Sequence, residues 1–88
     1  MSAPHLIFDP EPQYSEEARR AKFQGSVVLL LVVGADGCPR NVQVRRSLGM
    51  GLDEKAIETV RTWRFAPAMK DGLPVPVQVS IEVNFRLF

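Results

Sequence analysis

From Val75 to Leu87 the chain keeps a strict two-residue rhythm. Val75, Val77, Val79, Ile81, Val83, Phe85 and Leu87 take every second position, and Pro76, Gln78, Ser80, Glu82, Asn84 and Arg86 fill the places between. A two-residue period of this length predicts a β-strand with one face buried and one turned to water. Pro76 adds a positional constraint. Proline has no N–H for a ladder, so within a sheet it belongs at an edge, a strand start or a bulge. A long regular edge is a template for pairing with another chain, and proteins normally blunt it. Here it runs on unblunted, which predicts a free border that receives an extended peptide.

With 88 residues the chain fits one small domain and one modest core. A formal net charge of +1 gives no electrostatic footprint for nucleic acid or an anionic membrane. The longest apolar run, Val27 to Val33, is far short of the ~20 residues of a membrane helix. The N-terminus lacks the basic and then apolar regions of a signal peptide. An anchor or export signal, if the natural protein has one, is therefore expected outside this chain. Cys38 is the single cysteine, so neither an internal disulfide nor a thiolate metal cluster is expected. It reads as an exposed turn thiol. No cofactor is expected.

Residues 1–12 carry Pro4, Pro10 and Pro12 without periodicity and read as an extended leader, followed by a domain over 13–88. Ser15 is placed to cap a short helix that has Glu16 and Glu17 first and Arg19, Arg20 and Lys22 last, with Gly25 as its exit. Ser26 to Val33 reads as a strand whose apolar residues, Val27 to Val33, are continuous, which predicts a central strand covered on both faces. Asp36-Gly37 predicts a type I′ hairpin into Val42-Gln43-Val44-Arg45. Asp53 is a candidate N-cap for a second helix, with Leu52 and Ile57 as a hydrophobic staple. On this helix Leu52, Ala56, Ile57, Val60 and Trp63 share a face. Trp63 and Phe65 read as plugs for the end of the core rather than as a stacking platform. Asp71-Gly72 supplies a further turn. The expected fold is α+β: a three-stranded antiparallel sheet of order 2-1-3 with two helices, the hairpin's first strand central and the last strand at an edge.

Tyr14, Glu16-Glu17-Ala18, Gln24-Gly25, Asp36-Gly37, Leu52-Asp53 and above all Trp63-Arg64-Phe65-Ala66-Pro67-Ala68 resemble the TonB C-terminal domain family. The resemblance runs from Pro12 to Phe88. It implies a periplasmic domain, anchored in the inner membrane through an N-terminal region, that carries energy from a proton-driven motor to outer-membrane transporters. In that family the domain grips an extended transporter segment, the TonB box, beside its last strand, which corresponds here to Val75–Phe88. The family's Gln-Tyr-Pro segment also approaches the partner. Gln13 and Tyr14 carry that role over, with Ser15 in place of the proline.

If Pro76 faces outward, backbone alternation turns Gln78, Ser80, Glu82, Asn84 and Arg86 toward the open border as well. Pro76, Gln78, Ser80, Glu82, Asn84 and Arg86, together with Gln13 and Tyr14, are the expected peptide-binding residues. Two copies pairing through their last strands would form a homodimer on the same border. An enzyme is not expected, because His5 in the leader and Cys38 in a turn assemble no catalytic set. Nor is a nucleic-acid module, because the open face carries polar side chains where such sheets carry aromatics. A TonB-like envelope scaffold or sensor tail without a transport role is the alternative that keeps the fold.

Overall fold

Strands β2 (Gly25–Val33), β3 (Pro39–Arg46) and β7 (Val77–Phe85) form one antiparallel sheet in the order β3-β2-β7. This is the expected order, with the apolar strand in the middle. The structure, a computed structural model, describes residues 2–87. Val27, Leu29, Leu31 and Val33 of β2 lie on one face and are buried. They form the core with Val83 and Phe85 of β7, Ala18 of helix α1 (Glu16–Ala21), and Leu52, Ala56 and Val60 of helix α2 (Leu52–Val60). Trp63 and Phe65 belong to the same cluster and close its end.

The other face of β2 departs from expectation. Val28, Leu30 and Val32 are half-buried, and helices lie on one side only. A long side chain partly shields this face: Arg45 of β3 reaches across to Ser80 of β7, Nη1 donating to Oγ at 3.3 Å. A continuous apolar run therefore marks the central position of β2 without requiring a second layer.

Local chemistry explains the helix ends. Ser15 is the N-cap of α1, its Oγ accepting from the Ala18 N–H at 3.2 Å and donating to the Met50 carbonyl at 2.6 Å. One hydroxyl thus ties the start of α1 to the loop before α2. The helix ends earlier than Gly25: Lys22 takes the left-handed conformation, and its N–H and that of Phe23 bond back to Arg19 and Ala18. Asp53 is not the N-cap of α2. Gly51 holds that position without a side-chain bond, and Leu52 is already helical, so the expected staple has no place. The Asp53 carboxylate turns back instead, accepting from the amides of Leu48 (2.8 Å) and Gly49 (3.3 Å) and from the Ser47 hydroxyl.

The two Asp-Gly pairs make different turns. At Asp36-Gly37 only Gly37 has positive φ (82°), and its N–H donates to the Gly34 carbonyl at 2.9 Å. This is a type I turn closed by a left-handed glycine, not type I′. The Asp36 side chain selects it by accepting from the Cys38 N–H and pairing with Arg40 at 2.7 Å. Cys38 is consequently half-buried rather than exposed. At Asp71-Gly72 both residues have positive φ, 52° and 77°, and the type I′ geometry appears there, joining β5 (Ala68–Lys70) to β6 (Leu73–Val75).

The alternating C-terminal stretch is therefore two strands. β6 pairs with β5, Pro76 separates the sheets, and β7 begins at Val77. Arg86 and Leu87 lie beyond β7; the Leu87 N–H donates to Gln24 Oε1 at 3.1 Å. The leader is a structural part. Its β1 (His5–Phe8) pairs antiparallel with β4 (Arg64–Ala66). Trp63 Nε1 donates to the Pro10 carbonyl at 3.1 Å, and the Ser2 N–H to the Met69 carbonyl at 2.9 Å. β4 in turn sits against the hairpin: the Phe65 N–H donates to the Gly37 carbonyl at 2.9 Å. A Cβ on Gly37 would come within 2.1 Å of the Phe65 carbonyl oxygen, so this approach requires glycine.

Candidate functional site: the open border of the sheet

β7 runs beside β2 without a register shift, from Gly25 opposite Phe85 to Val33 opposite Val77. Among the described residues no strand occupies its other side. The leader, which would close that border by pairing there, pairs with β4 instead.

The direction of the β7 backbone follows from one hydrogen bond in the hairpin. The Gly34 N–H donates to the Cys38 carbonyl at 3.0 Å, toward the β3 side. Backbone groups alternate sides along a strand, so the even residues of β2 address β3 and the odd residues address β7. The bulges between β2 and β3 place their extra residues on β3, leaving the alternation of β2 intact. Odd residues of β2 lie opposite odd residues of β7, and these are the hydrogen-bonded pairs. The N–H and C=O groups of Gln78, Ser80, Glu82 and Asn84 therefore point to the open border. Their side chains are all exposed. From Gln78 to Asn84 this row is about 20 Å long at ~3.4 Å per residue.

The other expected site residues fall at different places. Pro76 lies just before β7, outside the row. Arg86 lies just after it, and its exposed side chain lines a pocket of about 390 Å³ with Glu11, Pro12, Tyr14, Asn84 and Phe85. Tyr14 is fastened there by an edge-on contact with Phe85, ring centroids 5.6 Å apart at 86°. Its buried hydroxyl has no hydrogen-bond partner among the described residues. Gln13 is not in this pocket. It lines a smaller one of about 240 Å³ against Lys55, Glu58, Thr59 and Thr62 of the α2 side. Gln13 and Tyr14, though adjacent, therefore line different recesses.

A third recess, of about 370 Å³, lies between the leader and the middle of β7. The aperiodic, proline-containing leader carries no signal for it. No three His, Cys, Asp or Glu side chains among the described residues converge to hold a metal ion. Two carboxyls are shifted, both away from the open border. For Asp36 the Cys38 amide lowers the pKa against a smaller opposing effect of desolvation, with Arg40 helping. For Asp53 desolvation opposes ionisation, but the bonds from Leu48, Ser47 and Gly49 together outweigh it and lower the pKa.

Known proteins resemble this chain in sequence and fold. Residues 10–87 match the family described as Gram-negative bacterial TonB protein C-terminal. The chain is 34% identical over 82 residues to Protein tonB2 of Pseudomonas aeruginosa, covering 92% of this chain and 30% of that protein. It is 36% identical over 77 residues to Protein TonB of Xanthomonas campestris pv. campestris, covering 86% and 34%. It is 32% identical over 78 residues to Protein TonB of Vibrio cholerae, covering 88% and 32%. The chain thus spans about a third of the length of these relatives. The solution structure of the Pseudomonas aeruginosa TonB CTD shares its fold, with a TM-score of 0.78 at 24% identity over 99% of this chain and 89% of that one. With the match extending from just before α1 to the end of the described residues, this chain belongs to the Gram-negative bacterial TonB protein C-terminal family.

Proposed function

We propose that this domain grips an extended segment of an outer-membrane transporter, the TonB box, as an added strand along β7. Through that grip it transmits force from an inner-membrane proton-driven motor. The domain works in the periplasm, and the motor is reached through an N-terminal region outside this chain. The observation that carries the reading is the unbroken row of outward backbone groups at Gln78, Ser80, Glu82 and Asn84. Each offers a peptide the hydrogen bonds that a neighbouring strand would otherwise make. Tyr14 and Arg86 close the row at the end of β7, and Gln13 is assigned to the flank on the α2 side. Pro76 marks where the added strand stops, because no outward N–H is available there.

The energetics suit a reversible grip. Each backbone hydrogen bond nets about 0.5–1.5 kcal/mol against water, and ordering a flexible peptide costs about 1–2 kcal/mol per residue. Side-chain contacts supply the surplus, giving an affinity on the order of micromolar. Traction along two paired strands loads all their hydrogen bonds together, whereas peeling loads them singly. A weak equilibrium grip can therefore carry a pull and still release. The chemistry is binding rather than catalysis.

Titrating the labelled chain with a transporter N-terminal peptide tests the reading through amide shifts. Shifts concentrated on Gln78 to Asn84 are expected; shifts confined to Arg45, Arg46 or Arg61 would reject edge binding. Pairing of two β7 borders is the competing use of the same row. It would show as concentration-dependent shifts before peptide is added.

A further inference from the structure

The leader packs near the β7 border without closing it. Pro4 and Leu6 lie across the recess of about 370 Å³ from Val79, Ser80 and Ile81, with Phe65 also in its lining. The leader's position is built, not incidental. It is fastened by the β1–β4 pairing, by the Ser2–Met69 bond and by the Trp63–Pro10 bond. We propose, resting on the strand-addition reading above, that the leader is the far wall of the peptide site. In this arrangement the recess takes one aliphatic side chain of the incoming strand.

Continuity with the open border is the first argument. Ser80 both lines the recess and presents its backbone outward, so a strand that pairs at Ser80 must run along the recess. Side-chain direction is the second. Val79 and Ile81 project on the core face of β7 and remain only half-buried. A partner residue opposite them on that face has its Cβ about 4.5–5.5 Å away. The third argument is composition. Ala3, Pro4, Leu6, Phe65, Val79 and Ile81 make most of the lining apolar, beside His5 and Ser80, so an aliphatic side chain gains from burial there. The leader thereby becomes a determinant of which extended segments are held, at a point several residues along the strand from the Tyr14 pocket.

Neighbouring leader residues supply the test and its control. Leu6 lines the recess and is 44% exposed; Ile7 is 68% exposed and does not line it. The probes are a short blocked peptide of alternating valine and threonine, flanked by lysines, and its counterpart with serine for valine. Both are titrated into the full chain and followed by amide shifts. Leu6→Ser is expected to weaken the valine peptide about tenfold, the factor that about 1.4 kcal/mol carries. Ile7→Ser, outside the recess, should leave its affinity within about twofold. The serine peptide should not distinguish Leu6→Ser from the parent chain. If the β7 amides shift but Leu6→Ser and Ile7→Ser bind alike, the leader is no wall and edge binding stands. If the β7 amides of the parent chain do not respond to the valine peptide or to a transporter N-terminal peptide, the strand-addition reading falls and this proposal falls with it.

Discussion

The central sheet has two outer borders, and they are built differently. Along β3 the pairing with β2 slips twice, between Val28 and Leu29 and between Leu30 and Val32. Asn41 takes a left-handed conformation there (φ 52°), Pro39 opens the strand, and Arg40, Arg45 and Arg46 are exposed along it. Proline, bulges and charge are the devices that keep a strand edge from recruiting another chain. Along β7 the pairing with β2 never slips, and the exposed positions are Gln78, Ser80, Glu82 and Asn84. One border is spoiled for pairing and the other is kept straight. In one small sheet this contrast says more about purpose than either edge does alone.

The largest expected effect comes from removing a single N–H from β7, inward or outward. Ile81→Pro removes a ladder bond to β2 and strands its partner, costing about 3 kcal/mol in chemical denaturation. Ser80→Pro, one residue away, removes an outward N–H and should cost at most about half of that, while abolishing measurable peptide binding. Equal destabilisation by the two would erase the distinction between inward and outward residues.

At the Tyr14 end of β7, Tyr14→Ala should cost about 2 kcal/mol by losing the edge-on contact with Phe85. Tyr14→Phe should leave stability within about 0.5 kcal/mol, since the hydroxyl has no partner among the described residues, and should weaken peptide binding. Stability lost with Tyr14→Phe would mean that the hydroxyl already has a partner. On the spoiled border, Asn41→Val should cost about 1–2 kcal/mol, because a β-branched residue resists the left-handed conformation. Asn41→Gly should be nearly neutral in the same unfolding experiment, and neither change should move peptide affinity.

The smallest effect belongs to the loop that leaves β3. Asp53 ionises more readily in the folded chain than in the unfolded one. Its contribution is therefore fully present above the unfolded carboxyl value of about 3.9 and is lost as pH falls through the lower folded value. Asp53→Asn should flatten the stability profile below about pH 4. An unchanged acid limb would mean that the carboxylate does not fasten Leu48 and Gly49.

The parts legible in the sequence were those with local, repeated signals. Alternation at Val77–Phe85, the apolar run of β2, the Asp36-Gly37 turn signal before β3 and the helical face of Leu52, Ala56 and Val60 place three strands and a helix in the correct order. Ser15 is legible because its cap partner, Ala18, lies three residues away. The rest depends on contacts distant in sequence. Pro76 splits one alternating stretch into two sheets because Leu73–Val75 finds β5 first, and the alternation of Val75 and Val77 continues across the break. Asp53 looks like a cap from its position, but its carboxylate is drawn to the amides of Leu48 and Gly49. The leader is shaped by β4, a strand only three residues long and too short for any periodicity to reveal. Gln13 parts from Tyr14 because it meets the α2 side, a contact with residues more than forty positions away.

Amide hydrogen exchange along β7, residue by residue with and without a transporter N-terminal peptide, tests the central claim most directly. In the free chain Val79, Ile81 and Val83 should be protected, while Gln78, Ser80, Glu82 and Asn84 exchange rapidly. Peptide should slow the second set and leave the first unchanged. Protection of Ser80 and Glu82 before any peptide is added, or no slowing afterwards, would contradict the account.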